Sequence, residues 1–170
     1  MPESAVRRIS NIGAILAKEL KIGDAAPSFS LPANGDRTVS LTDYAKRKLV
    51  IYFYPKDNTP GCTTEAIDFT AAVKDFDKAN TDIVGVSADS VKKHDNFIEK
   101  HNLGITLLSD KQQDMLNAYG VWVEKSMYGR NFMGIERATF LVGTDGKIEQ
   151  IWRKVKVKGH VDAVLEAARG

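Results

Sequence analysis

One stretch, residues 49–69, limits the possible folds of this chain more than any other. It opens with six consecutive apolar residues, LVIYFY, which are rich in β-branched and aromatic side chains and are followed by Pro55. Such a run predicts a buried strand. Beyond it the apolar residues recur at helical spacing, at Ala66, Phe69, Val73 and Phe76. A buried strand followed at once by an amphipathic helix, which we expect to end near Asn80, indicates an α/β protein.

The turn between this strand and this helix holds the only cysteine of the chain, Cys62. Thr59 suits the N-cap position, and Pro60 then falls at the first helical position, where its missing N–H costs nothing. Gly61 leaves space beside the sulfur. The first turn of a helix has unpaired N–H groups and a positive dipole end, which favour an anion such as a thiolate. We therefore expect Cys62 to be a reactive thiol rather than a buried inert one.

Ionisation alone does not make a fast cysteine enzyme. A thiol whose pKa drops from about 8.5 to about 6 gains roughly thirty-fold in thiolate at pH 7, and its nucleophilicity falls in part as the pKa falls. Groups that stabilise charge on the leaving atom must supply more. Thr59 is the first candidate for such a hydroxyl, and its alternative role is that of a plain helix cap.

The rest of the chain alternates strand-like and helical patterns. The strand-like segments are residues 82–87, 105–108, 138–142 and 147–157, the last two joined by an Asp-Gly turn. The helical segments are residues 90–102, with Ser90 as N-cap, then 114–119 and 161–168. This order predicts an α/β fold, a three-layer sandwich with a central mixed sheet. We assign residues 20–170 to one domain and residues 1–19 to an N-terminal extension.

Composition narrows the function. The chain has 170 residues, a net charge of +2 and one cysteine. This balance gives no indication of nucleic-acid binding, no apolar run is long enough to span a membrane, and a lone cysteine fits a reducing compartment. We expect a cytoplasmic protein. Export remains the alternative, because Arg7 and Arg8 precede an apolar stretch that Ser10 and Asn11 interrupt.

Pro55, Thr59 and Cys62 form the pattern P-x-x-x-T-x-x-C, which resembles the active-site motif of the peroxiredoxins. The fuller string YFYPKDNTPGCTTE, with MYGRNFMGIERATFLV and IWRKVKVKGH downstream, is similar to the bacterioferritin comigratory protein or peroxiredoxin Q branch. This resemblance implies a thioredoxin-like fold. It also implies a thiol-dependent peroxidase that reduces hydrogen peroxide and organic hydroperoxides in antioxidant defence, without a cofactor.

The resemblance also implies site residues. It places Arg137 against the reactive sulfur, although from the pattern alone this arginine would be a solvated residue at a strand end. A guanidinium stays charged and donates several hydrogen bonds, which suits a peroxide. Pro55 enters the site through the motif alone. Glu65 lies one helical turn beyond Cys62, and we expect it to orient the site, for instance by pairing with the arginine.

Recycling of the sulfur is where this sequence departs from its relatives. The resemblance places a second, resolving cysteine five residues after the first or in the next helix, and those positions hold Ile67 and Ile98 here. We therefore expect a one-cysteine enzyme that an external thiol reduces: thioredoxin, glutaredoxin or a small thiol. We also expect a monomer or weak homodimer, from the resemblance only.

The remaining candidates have plainer interpretations. His94, His101 and His160 lack the converging spacing of metal ligands, so we expect solvated rings and no metal. Two other functions stay open. A holdase chaperone or thioredoxin-like binding module would work without Cys62. A general thiol–disulfide reductase would normally need the C-x-x-C pair that this chain lacks.

Overall fold

The computed structural model describes residues 19–170, and its centre is a seven-stranded mixed sheet in the order β2-β1-β5-β4-β3-β8-β9. The strands are β1 (Ser30–Ala33), β2 (Arg37–Ser40), β3 (Lys48–Phe53), β4 (Thr81–Ser87), β5 (Thr106–Ser109), β8 (Ala138–Val142) and β9 (Ile148–Trp152). Strand β4 runs parallel to β3 and to β5, and every other pair in this sheet is antiparallel. A separate hairpin pairs β6 (Trp122–Met127) with β7 (Arg130–Ile135).

Helices cover both faces of the sheet. They are α1 (Pro60–Ala71), α2 (Val73–Lys78), α3 (Val91–His101), α4 (Asp114–Ala118) and α5 (His160–Arg169), with a 3-10 turn at Leu41–Tyr44. Apolar residues of α1, α2, α3 and α5 form one core with alternate residues of β3, and α4 belongs to the core on the other face. The predicted three-layer α/β sandwich with a mixed central sheet is confirmed. The prediction of one continuous helix as far as Asn80 is wrong, because the helix is interrupted at Ala72, between α1 and α2.

The register of β3 positions the functional residues. Phe53 pairs with Ala138 of β8, so Arg137, the residue before β8, lies beside the point where β3 leaves the sheet. The parallel neighbour β4 ends at the same edge, since Phe53 pairs with Val86. The segment from Pro55 to the start of α1 is therefore flanked by Arg137 on one side and the loop after β4 on the other.

Strands β6 and β7 were not expected from the sequence. Most of their residues are partly or fully exposed, so apolar alternation is weak, and the turn between them uses Tyr128 and Gly129 at φ values of 54° and 75°. Within residues 19–170 no helix combines the length and apolar character needed to cross a bilayer. The proposed extension and its export motif lie outside the described residues, apart from Glu19, whose carboxylate is 3.5 Å from the Arg153 guanidinium.

Candidate active site

Cys62 lies in the first turn of α1, as the pattern of caps predicted. Helix α1 begins at Pro60 after an extended Thr59, and the Thr63 N–H donates to the Thr59 carbonyl at 2.8 Å. The cysteine is only 1% exposed and belongs to the apolar core between α1 and the sheet. Its sulfur is thus held at a positively polarised helix end but away from bulk water.

Arg137 is the group that faces the sulfur. Its Nη2 lies 3.2 Å from the Cys62 Sγ, and its Nη1 donates to Glu65 Oε1 at 2.5 Å. One guanidinium therefore bonds the thiol and the carboxylate together, through two different nitrogens, which is the fork geometry that arginine offers and lysine does not. Arg137 precedes β8 instead of lying within it, and its side chain remains 17% exposed.

Gly61 provides the space in which the guanidinium sits. A Cβ at this position would lie 3.3 Å from Arg137 Nη2 and 3.9 Å from its Cζ. The φ of Gly61 is not positive, so the backbone itself would accept another residue. The glycine is therefore needed for room next to the arginine and not for its conformational freedom.

The charges in this site act on one another. Burial raises the pKa of Glu65 to about 7, and Arg137 offsets part of that rise. The second carboxylate oxygen, Oε2, has no hydrogen-bond partner within residues 19–170, so the desolvation is only partly compensated. For Arg137, burial lowers the pKa, but the charges of Glu65 and Cys62 and the hydrogen bonds to both groups together outweigh burial and raise it above its ordinary value. The guanidinium therefore stays a cation at the sulfur.

Thr59 is not used as a side-chain cap. Its hydroxyl donates to the Lys56 carbonyl at 2.9 Å and makes no hydrogen bond to the N–H groups of the helix. The structure shows no hydrogen bond between this hydroxyl and the Cys62 sulfur. Pro55 is half-buried and follows Tyr54, the first residue after β3. The five-residue segment Pro55–Thr59 is called the site loop below.

Two histidines differ from the expectation of solvated rings. His94 is completely buried on α3, where it bonds Asp57 at 2.7 Å and the Leu108 carbonyl at 2.9 Å. His160 is 6% exposed and bonds Thr139 at 2.7 Å. Burial, with Arg137 as a smaller cause, lowers the pKa of His160 to about 4, so this ring is neutral. Both rings have hydrogen-bond partners on neighbouring elements, which spacing along the sequence does not reveal.

The two positions that would hold a resolving cysteine in relatives differ in solvent exposure. Ile67 on α1 is 44% exposed, and Ile98 on α3 is half-buried against the core. A surface cavity of about 440 Å³ beside Tyr44, Asp77 and Ile105 is lined by none of the candidate site residues. The candidate site is therefore separate from this cavity.

A thioredoxin-like sandwich that presents an arginine to a cysteine at a helix N-terminus defines a thiol-based redox enzyme. The chain belongs to the AhpC/TSA family, whose family model matches residues 22–151. Among its curated relatives, peroxiredoxin Bcp of Xanthomonas campestris is 51% identical over 85% of this chain and 91% of that protein. Peroxiredoxin Bcp of Bacillus subtilis is 46% identical over 88% of this chain and 96% of that protein.

Solved structures agree with this placement. Peroxiredoxin Q of Xanthomonas campestris superposes with a TM-score of 0.80 at 51% identity, over 83% of this chain and 89% of that one. A cysteine-to-serine mutant of PrxQ from Xylella fastidiosa gives a TM-score of 0.83 at 41% identity, over 88% and 95% of the two chains. The resemblance to the Bcp or peroxiredoxin Q branch is confirmed, and the chain is a peroxidase of that branch with a single cysteine.

Proposed function

We propose that the chain reduces hydrogen peroxide and organic hydroperoxides through a sulfenic acid at Cys62. The thiolate attacks one peroxide oxygen, an S–O bond forms, and the O–O bond breaks. The sulfur loses two electrons to the peroxide, and the departing oxygen takes up a proton and leaves as water or an alcohol. This proposal rests on the 3.2 Å contact between Arg137 Nη2 and the sulfur of Cys62, the only cysteine in the chain.

The site residues divide the work on the two peroxide oxygens. The Arg137 guanidinium and the N–H groups at the start of α1 stabilise the negative charge that develops as the O–O bond breaks. The Thr59 hydroxyl donates its hydrogen bond to the Lys56 carbonyl, so its oxygen lone pairs remain available to accept a hydrogen bond from the peroxide. Glu65 fixes one edge of the guanidinium and turns the other edge toward the sulfur.

Return to the thiol needs a second molecule. A reductant thiol displaces water from the sulfenic acid to give a mixed disulfide, and a second thiol then releases Cys62 as the reductant becomes a disulfide. Because the sulfenic acid has no internal partner, excess peroxide should carry it to sulfinic acid. Mass spectrometry after peroxide titration should show that gain of two oxygens at Cys62. A sample that receives no peroxide should show no such gain.

The direct test is Cys62→Ser. Peroxide consumption should vanish in this variant with every reductant offered: thioredoxin, glutaredoxin or a small thiol. Retained consumption would contradict the proposal. The same variant separates the holdase alternative, in which suppression of aggregation would survive the loss of the sulfur.

A further inference from the structure

Asp57, in the middle of the site loop, is fixed from three directions although the residues on either side of it are exposed. Its carboxylate accepts a hydrogen bond from the Tyr54 hydroxyl at 2.6 Å and bonds His94 Nδ1 at 2.7 Å. Its backbone N–H donates to Asp89 Oδ2 at 2.8 Å. Asp57 is 6% exposed, so these bonds compensate its loss of water.

The partners of Asp57 are themselves held. His94 Nε2 faces the Leu108 carbonyl of β5 at 2.9 Å, and because a carbonyl only accepts, this nitrogen carries a hydrogen. Asp89 Oδ2 also accepts from the Ser87 hydroxyl at 2.9 Å. Ligand atoms of Asp57, Asp89 and His94 lie within 4.8 Å of one another, close enough for a metal ion, but these hydrogen bonds already account for their arrangement.

The consequence for Thr59 follows from the geometry of one peptide bond. The Lys56 carbonyl and the Asp57 N–H belong to the same peptide unit, and in a trans peptide they point in opposite directions. Asp89 accepts the N–H at one edge of this peptide unit, so the carbonyl points outward from the opposite edge, where it accepts the Thr59 hydroxyl. The next residue, Asn58, has a left-handed φ of 64°, which brings Thr59 back toward that carbonyl.

We propose that Asp89 and Asp57 are positioning residues for the peroxidase reaction. They fix the Lys56–Asp57 peptide so that the Thr59 hydroxyl donates away from the sulfur and presents its lone pairs to the peroxide. His94 clamps the Asp57 side chain from α3, and Tyr54 clamps it from the position just after β3. None of the four touches substrate, and the inference rests on the proposed roles of Cys62 and Thr59.

The test compares two reactions of Cys62 in Asp89→Ala and Asp89→Asn. The first reaction is oxidation by hydrogen peroxide, measured by stopped flow, and the second is alkylation by iodoacetamide, which does not need a peroxide-binding hydroxyl. Asp89→Ala should lower the peroxide rate constant roughly 10-fold and leave alkylation within two-fold. Asp89→Asn keeps an oxygen that accepts the Asp57 N–H, and should recover the rate to within about three-fold.

A matched control is Asp95→Ala. Asp95 Oδ1 also accepts a backbone N–H at 2.8 Å, that of Gly35, but lies outside the site, so its removal should change neither reaction. A peroxide rate within two-fold of the parent in Asp89→Ala overturns the inference, and so does an equal fall in both reactions. If Asp89→Ala does not fold, Ser87→Ala, which removes one donor to Asp89, takes its place with the same two readouts.

The outcome for the positioning residues is separable from that for the proposed function. Peroxidase activity retained by Cys62→Ser would contradict the proposed reaction at Cys62. Activity that is lost in Cys62→Ser but unchanged in Asp89→Ala would contradict only the positioning role of Asp89 and Asp57.

Discussion

Gly61→Ala should separate catalysis from stability. The new methyl carbon would lie 3.3 Å from Arg137 Nη2, closer than a comfortable carbon–nitrogen contact, so the guanidinium must move by a few tenths of an ångström. Glu65 holds the other edge at 2.5 Å, and therefore the shift falls mainly on the 3.2 Å contact with Cys62 Sγ. The helix itself should tolerate alanine, because Gly61 lies in α1 without a positive φ.

The size of the effect follows from the bond that is weakened. A hydrogen bond to a charged group contributes about 1.5–3 kcal/mol. Loss of roughly half of it, about 0.8–1.5 kcal/mol, corresponds to a reaction with peroxide that is about four- to twelve-fold slower. Alanine is more favourable than glycine in a helix by up to about 1 kcal/mol, so the free energy of unfolding should stay equal or rise.

The assay pairs stopped-flow oxidation by hydrogen peroxide with urea unfolding of the reduced protein. Gly104→Ala is the control, since its Cβ would make an ordinary 3.5 Å contact with Thr70 far from the arginine. A Gly61→Ala variant as fast as the parent would refute the view that the guanidinium–sulfur contact sets the rate. A variant that is slow and also less stable would refute the view that only the arginine has moved.

Three other changes have defined outcomes. Arg137→Lys should slow peroxide reduction at least about 100-fold, because an ammonium cannot replace the fork that bonds Glu65 and Cys62 together; peroxide consumption measures it, and a loss below ten-fold would contradict it. Gly85→Ala should lower the free energy of unfolding by about 1–3 kcal/mol, since its Cβ would lie 2.7 Å from Tyr52 Cζ in the core; urea unfolding with no shift in midpoint would contradict it. Glu65 has a pKa raised by burial from 4.5 to about 7, so between those values the folded state keeps a proton that the unfolded chain has released, and stability falls as pH rises. Glu65→Gln should remove a fall on the order of 3 kcal/mol between pH 4.5 and 7, and an unchanged difference between parent and variant across that window would contradict it.

Local patterns predicted most of the sheet and its helices. The Ser90 cap is confirmed by its bond to the Lys93 N–H, and the predicted Asp-Gly turn, at Asp145 and Gly146, lies between β8 and β9. Both depend on residues close in sequence, where turn and cap chemistry is decided. The break at Ala72 escaped prediction because the helical apolar period continues across it, from Phe69 to Val73. The exposed β6–β7 hairpin escaped prediction because it has no clear apolar alternation.

The features of the candidate site also differ in whether neighbouring residues in the sequence predict them. The position of Cys62 at a helix start follows from its neighbours, whereas the approach of Arg137 from 75 residues away depends on the pairing of β3 with β8. His94 could have been suspected from its helical spacing with Phe97, which marks the inward side of α3. Its bond to Asp57 could not, because that contact joins a loop and a helix through the fold.

The near-complete burial of Cys62 affects the two halves of the proposed reaction cycle unequally. Hydrogen peroxide has only two heavy atoms, so it needs much less displacement of the protein than a larger reductant to reach a sulfur that is 1% exposed. A protein reductant must instead bring its own cysteine Cα to within about 4.4–6.8 Å of the Cys62 Cα to form a disulfide. With α1 as folded here, that approach is obstructed. Turnover with a protein thiol would therefore depend on how often the first turn of α1 unwinds, and the dependence would be weaker for a small thiol.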